Sequence, residues 1–416
     1  MSDSPPTRPT NRPLSHLRVL DLSRVLAGPW STQNLADMGA EVIKVERPGV
    51  GDDTRGWGPP FVGSGAEGAE RGDSAYFMSA NRGKKSITCD MSTPEGQALI
   101  RALAAKSDVV VENYKVGTLA KYGLGPEDLR ALDPRLIYCS ITGFGQTGPY
   151  APLPGYDFVF QGMGGLMSIT GQPDGQPGAE PMKVGVAVAD LMTGMYATVA
   201  IMGALEHRNV TGQGQYLDIA LLDGLIALTS YQAINFFVSG KTPERLGNGH
   251  PNIVPYQVFT CKGGHIILAV ANDSQFKSFC HAVGKPAWAA DDRFAIGSNR
   301  AINRQTLIAL IAELMLERTM PEWMALLESA NVPCGPINTM PQVYEDPQVR
   351  HRGMKVQLQH PSGPISLLAS PLRFSHTPVT YDVPPPLLGQ HTQQVLQDVL
   401  GMDAAQVQGL RDRGAV

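Results

Sequence analysis

Through the first 145 residues, short runs of consecutive apolar positions alternate with stretches where apolar residues recur every three or four places. The runs LRVLDLS (17–23) and DVVVENY (108–114) have the look of buried core strands, EVIKVER (41–47) and RLIYCSITGFG (from Arg135) read as further strands, and NRGKKSITCDM (81–91) puts Lys84 and Lys85 before another. Between them, WSTQNLADMGA and TPEGQALIRALAAKS (93–107) carry the helical period. The second of these opens with a Thr cap, a proline and Glu95, a good helix start. Short helices are predicted over 116–125, which bears Lys121, and over 126–134. At least four strands alternating with helices predict a doubly wound α/β sheet of nucleotide-binding type.

Further on, 155–171 reads as a short amphipathic segment running into a glycine-rich turn, and 184–189 as an extended approach. Leu191 to Glu206 is apolar almost all round and carries no charge before Glu206, the pattern of a buried helix. Asp190 stands at or near its start. A helix cap accounts for such an aspartate. So does a carboxylate nucleophile kept ionised in an apolar, water-poor place. From about residue 226 the pattern changes to apolar–polar alternation with a hairpin turn at Gly263 and Gly264, followed by helices. The predicted division is a disordered, proline-rich tail (1–14), a large domain (15–225), a smaller α+β domain (226–340) and a return segment ending in two amphipathic helices (341–416).

Composition narrows the function classes. The 416 residues carry a net charge of −4, against a general nucleic-acid binder. No long uninterrupted apolar run and no signal pattern point to a membrane, so a soluble, cytoplasmic protein is expected. Five scattered cysteines without CxxC read as reduced core residues. The nine histidines show no HxH or HExxH spacing, so no metal is expected. No GxSxG elbow is present, and only Gly28 stands at the first strand–helix turn in place of GxGxxG, which argues against a dehydrogenase. Arg47 closes the second strand, where a phosphorylated ribose is bound in NADP folds; a surface ion pair explains it as well. Lys84, Lys85 and the Asp52–Asp53 pair in the 48–75 glycine-rich loop are expected to be solvated.

The runs VLDLSRVLAGPWSTQNLADMGAEVIKVERPGVGDDTRGWGPPF, NRGKKSITCDMSTPEG, DVVVENYKVGTLAKYGLG, RLIYCSITGFGQTGPY, VAVADLMTGMYA, VPCGPINTMPQVYEDPQV and PPPLLGQHT closely resemble the class III CoA-transferases, the CaiB/BaiF family. The similarity covers nearly everything after residue 14, and GAEVIKVERPGVGDDTR and GNGHPNIVPYQ are most similar to the succinyl-CoA:glutarate branch. The resemblance implies a Rossmann-like large domain formed by both chain ends, a smaller domain, and two ring-like chains interlocked as a homodimer. It implies reversible CoA transfer from an acyl-CoA to a carboxylic acid, with coenzyme A as substrate and no resident cofactor. Asp190 falls on the family's nucleophile, which passes through a mixed anhydride and an aspartyl-CoA thioester. The family's CoA contacts fall on Leu26, Ala27, Arg47, Cys89, Ser92, Asn113, Tyr114, Lys115, Lys121, Tyr156 and Asp157. Glycines near the site are candidate oxyanion donors.

Departures from the family pattern bear on substrate. Leu26, Arg24 and Lys121 stand where the formyl-CoA branch has Gln, His and Arg, and the tetraglycine loop of that branch is absent. Arg24 is a candidate clamp for the far carboxylate of a dicarboxylic acid, and His250, in GNGHPN (247–252), a candidate substrate contact. Formyl-CoA:oxalate and carnitine-type transfer stand as alternatives. An α-methylacyl-CoA racemase would carry GHD where this chain has GYD, and a tyrosine with an ordinary pKa of about 10 is a poor base. A silent CoA-binding homologue is the remaining alternative, and the intact Asp190 motif argues against it.

Overall fold

The computed structural model describes residues 12–63 and 72–416. The expected tail lies outside the described residues up to residue 11, as does part of the 48–75 loop. Leu14 does not behave as tail: it is buried, and its N–H donates to Met38 O at 2.9 Å. The chain divides into two compact units, Met1–Leu166 with Val184–Ile234 and Arg350–Val416, and Met167–Lys183 with Asn235–Val349. The second unit therefore includes 167–183, which hydropathy alone left with the large domain.

The first unit is built from β1 (Arg18–Asp21), α1 (Ala27–Asp37), β2 (Glu41–Glu46), α2 (Ala75–Ser79), β3 (Lys84–Thr88), α3 (Pro94–Ala104), β4 (Val109–Glu112), α4 (Pro126–Leu132), β5 (Ile137–Thr142), α5 (Asp157–Met163), α6 (Leu166–Ile169), α7 (Val188–Thr211), β6 (Tyr216–Ala220), α8 (Leu221–Leu228) and α9 (Ser230–Ser239). The last residues of α6 and α9 belong to the second unit. The strands form one sheet in the order β3-β2-β1-β4-β5-β6, parallel throughout. Their continuous apolar runs serve two cores, because successive residues face opposite sides. Val19, Val42, Val109 and Val111 join α1 and α7 on one face. Leu20, Ile43 and Val110 pack with α3 and the C-terminal residues on the other. Strand order reverses between β1 and β4, which opens a crevice at their carboxyl ends.

In the second unit, β7 (Tyr256–Cys261) and β8 (Gly264–Ala269) form the hairpin that the alternation predicts, turning at Gly263 (φ 76°). The two-residue β9 (Cys334–Gly335) adds to β8. Helices α10 (Asp273–Ala282), α11 (Pro286–Ala290), α12 (Gly297–Ile302), α13 (Arg304–Met315) and α14 (Met320–Ser329) bury Phe276, Phe279, Ile311 and Trp323 against this sheet. Two short helices, α15 (Met340–Glu345) and α16 (Pro347–His351), lead back to the first unit.

The return segment contains a hairpin that the sequence reading missed, β10 (Lys355–His360) with β11 (Gly363–Leu368), then α17 (Thr392–Leu400) and α18 (Ala404–Asp412). It also covers the outer edge of β3. His391 N–H donates to Ser86 O (2.9 Å), while Ser86 N–H and Thr88 N–H donate to His391 Nδ1 (3.2 Å) and Thr392 Oγ1 (3.1 Å). An exposed parallel edge is thereby closed.

Helix α7 is long and apolar enough to cross a membrane by length and composition. Its Ala189, Gly194, Ala197 and Ile201 side is nevertheless buried in the sheet-face core. Gly194 lets it approach α1 closely, since a Cβ there would sit 2.5 Å from Ala27 O. Gly194→Val should therefore push the two helices apart and destabilise the first unit by roughly 2 kcal/mol, read as a lower urea midpoint. An unchanged midpoint would mean that the helices are free to re-pack.

Candidate functional site

At the crevice between β1 and β4 lies a pocket of about 190 Å³. The turn after β1 contributes Arg24, Val25 and Ala27, the turn after β4 contributes Asn113, Tyr114 and Lys115, and the end of β5 contributes Thr142 and Gly143. Tyr156 and Asp190 complete it. Seven residues singled out in the sequence thus meet in one place: Arg24, Ala27, Asn113, Tyr114, Lys115, Tyr156 and Asp190.

Asp190 is the third residue of α7, which starts at Val188, so 188–189 are helical rather than extended. No side chain of α7 caps its own start; the acceptor comes from α5, whose Asp157 Oδ1 receives the Ala189 N–H at 2.7 Å. Gln161, one turn further along α5, donates to Asp157 Oδ2 (2.6 Å) and receives the Val184 N–H (2.8 Å). The Asp190 end of α7 is thus stapled to α5. Burial pushes the Asp190 carboxyl up to about 7, and the neighbouring Asp157 charge adds to the rise. The surroundings thus oppose the charge of the carboxylate that the sequence expects to be kept ionised. Tyr76 on α2, which the sequence reading passed over, has its hydroxyl pushed up to about 12 by burial, with the charges of Asp190, Asp157 and Asp52 adding to the rise.

The turn after β1 is unusual. Val25 has φ of 70°, a left-handed conformation that costs a β-branched residue roughly 1–3 kcal/mol. Gly28 is required just beyond it, because a Cβ would lie 2.3 Å from Ser23 Oγ. Beneath the turn is a set of buried charges. Lys44 Nζ donates to Asp52 (2.8 Å), and Lys84 Nζ to Asp21 (3.1 Å), Asn81 Oδ1 and Pro29 O. Burial lowers the Lys84 ammonium to about 8, and Asp52 is held at about 2, where Lys44 and the Thr54 hydrogen bonds together outweigh the cost of burial. Lys84 and Asp52, expected in solvent, are instead buried, paired with Asp21 and Lys44 respectively. Lys85 is partly exposed and pairs with Glu41 at 2.8 Å.

Beside this set, a second pocket of about 120 Å³ places Arg47 near Arg24 and Tyr114. The Arg24 guanidinium is engaged there, by Asp53 at 2.8 Å and over the Tyr114 ring at 5.5 Å. Leu26 is the buried residue that precedes α1. Cys89 follows β3 with its thiol in the core, pushed up to about 12 by burial. Ser92 is exposed and donates to Asp90 (2.7 Å). Lys121 is exposed on a short 3-10 turn and lines neither pocket. His250 belongs to the second unit, where its Nδ1 receives the Asn252 and Ile253 N–H groups and its ring meets Tyr256 edge-on. Glu112, at the end of β4, is a further acid pushed up to about 7 by burial; it receives the Tyr114 N–H at 2.8 Å.

The pattern of CoA-transferase family III matches residues 14–392. The succinate–glutarate CoA-transferase of Agrobacterium fabrum is 50% identical over 96% of this chain and 98% of its own. The human succinyl-CoA:glutarate CoA-transferase is 44% identical over 97% of this chain and 90% of its own. The crystal structure of a CaiB/BaiF family protein from Brucella suis matches with a TM-score of 0.81 and 48% identity, covering 94% of this chain and all of that one.

The Asp190 carboxyl should titrate near 7 by carbon-13 NMR, resolved from Glu112, and Asp157→Asn should move it part of the way back toward the ordinary value near 3.8. A midpoint below 5 would refute the desolvated site. Because the folded-state value lies above the unfolded one, the fold opposes ionisation increasingly from about pH 4, and the cost levels off above 7. Asp190→Asn should therefore raise the Tm at pH 8 and leave it unchanged near pH 4.

Proposed function

The chain belongs to CoA-transferase family III and is an enzyme of that class, and from that premise we propose that it carries CoA reversibly from succinyl-CoA to glutarate or a similar dicarboxylate. The Asp190 carboxylate attacks the thioester carbonyl; the C–S bond breaks and CoA leaves as thiolate, giving a mixed anhydride. The thiolate attacks the Asp190 side-chain carbonyl and expels succinate, leaving an aspartyl-CoA thioester. Glutarate attacks that thioester, the thiolate leaves again, and its attack on the glutaryl carbonyl releases glutaryl-CoA and frees Asp190. Each step exchanges bonds of similar energy, so the need is to exclude water from the anhydride rather than to supply driving force.

One observation carries this reading: among the described residues, the sole carboxyl lining the pocket at the β1–β4 crevice is Asp190, in a chain 50% identical to a succinate–glutarate CoA-transferase over nearly its whole length. A carboxylate that burial makes reluctant to ionise is also a less hydrated nucleophile. The CoA moiety is proposed to follow the turns after β1 and β4, with Arg47, Ser92 and Lys121 toward its phosphates, and Leu26, Ala27, the backbone at Cys89, 113–115, Tyr156 and Asp157 along it. Gly143 is a candidate oxyanion donor. His250 is proposed as a substrate contact.

The working form is proposed to be the interlocked homodimer. Phe158 and Val159 of α5 and Tyr196, Val199 and Met202 of α7 are exposed apolar residues beside the site, a surface that a second copy would cover. The cytoplasm is proposed as the compartment, in keeping with five unpaired cysteines.

Incubation of the protein with succinyl-CoA and glutarate should yield glutaryl-CoA and succinate in equal amounts, and Asp190→Ala should abolish both. Free CoA released without glutaryl-CoA would identify a hydrolase instead. Arg24→Ala should raise the KM for glutarate about tenfold or more, through loss of a charge-assisted contact, with less effect on a monocarboxylate. An unchanged KM would remove Arg24 from acceptor recognition.

A further inference from the structure

The turn that joins β1 to α1 is shaped almost entirely by side chains from elsewhere. Asp21 Oδ1 receives the Ser23 N–H at 3.0 Å, and Lys44 Nζ donates to Ser23 O at 2.9 Å. Asn113 receives the Arg24 N–H on Oδ1 (2.9 Å) and donates Nδ2 to Arg24 O (2.6 Å). Both oxygens of Asp52 receive the Val25 N–H, each at 3.2 Å. Five successive backbone groups are thus held by four side chains, and the last of the five belongs to the strained residue.

Lys44 and Asp52 stand out among the four. They form an ion pair at 2.8 Å with side chains 0% and 1% exposed, yet neither takes part in the chemistry proposed above. A buried ion pair is weak evidence for stability, since apolar residues of similar volume commonly do as well. Geometry explains the pair better. Lys44 grips the carbonyl on one side of Arg24 and Asp52 grips the amide on the other, and each charge keeps its partner in place. Thr54 fixes the Asp52 carboxylate further, through its N–H (3.0 Å) and hydroxyl (2.7 Å). Backbone strain persists only where surroundings over-determine it, and here it falls on a residue lining the pocket that contains Asp190.

We infer that Lys44 and Asp52 are positioning residues for CoA transfer: through the backbone of Ser23 and Val25 they hold the 24–27 turn in the left-handed shape that lines the Asp190 pocket. Their side chains, almost wholly buried, act through that backbone. The inference rests on the transfer reaction proposed for Asp190.

The test compares wild type with the double variant K44M/D52L, which removes both charges together and leaves neither unpaired in the core. Its Tm should stay close to wild type. Its kcat for succinyl-CoA and glutarate should fall about 100-fold, as expected for a misplaced site wall, with far smaller changes in KM. Amide hydrogen exchange should speed up in the peptide spanning 23–27. Adding Val25→Gly, which adopts the turn without strain, should recover about tenfold of the lost kcat. Asp52→Glu, keeping charge and acceptor, should retain more activity than Asp52→Asn. If the double variant does not fold, Asp52→Asn replaces it with the same readouts in milder form.

Wild-type kcat in the double variant, or a kcat that follows the folded fraction and ignores Val25→Gly, would overturn the inference. If wild-type protein transfers no CoA, the reading of Asp190 fails, and hydrogen exchange still decides this one: unchanged exchange in 23–27 overturns it.

Discussion

The chemistry proposed at Asp190 depends on a carboxyl group placed where water stabilises its charge poorly. Burial in the pocket and the nearby Asp157 together lift it to about 7, some way above an ordinary aspartate. Full exposure would make the group ionised but shielded by solvent, and any anhydride formed on it would be open to hydrolysis. Full burial without access would leave it protonated and inert. The position in the first turn of α7 lies between these limits, since the dipole at a helix start favours a negative charge nearby.

The rest of the first unit serves that placement. The reversal of strand order between β1 and β4 provides the crevice. Gly194 brings α7 tightly against α1, so the helix that carries Asp190 and the helix that begins at the turn after β1 form one closely packed pair. Asp157 and Gln161 fasten the start of α7 from α5. Below, the Lys44–Asp52 and Lys84–Asp21 pairs put four charges into the core at the end of β1. Such an arrangement is costly for a fold whose only need is stability. It suits a site wall that must keep a conformation its own sequence disfavours.

Much of this was legible in the sequence because it follows from local periodicity. The apolar runs of β1, β4 and β5 and the Thr93 cap of α3 appear where the pattern puts them. The Asp190 helix does too, starting two residues earlier than the pattern suggested. Motif resemblance brought Asp190, Asn113 and Tyr156 to one pocket before any fold was available. Long-range pairing was not legible. Asp52 sits among glycines and reads as solvated, and only the fold shows that Lys44 lies beneath it. Lys84 opens a strand and reads as a surface cation, but the strand is the third of a parallel sheet and its side chain reaches Asp21. The β10–β11 hairpin did have a signal: Val356 and Leu358 alternate with polar residues, as do Ile365 and Leu367, about a turn containing Gly363. The Val25 conformation had none, since nothing in the letters VLAG demands a left-handed valine.

The most direct test is the intact mass of the protein after brief incubation with succinyl-CoA and no acceptor, for wild type and Asp190→Ala. The account predicts a species heavier by one CoA less one water in wild type alone, which disappears when glutarate is added. An adduct that persists in Asp190→Ala, or no adduct on wild type that demonstrably binds and turns over succinyl-CoA, would contradict a mechanism built on this carboxylate.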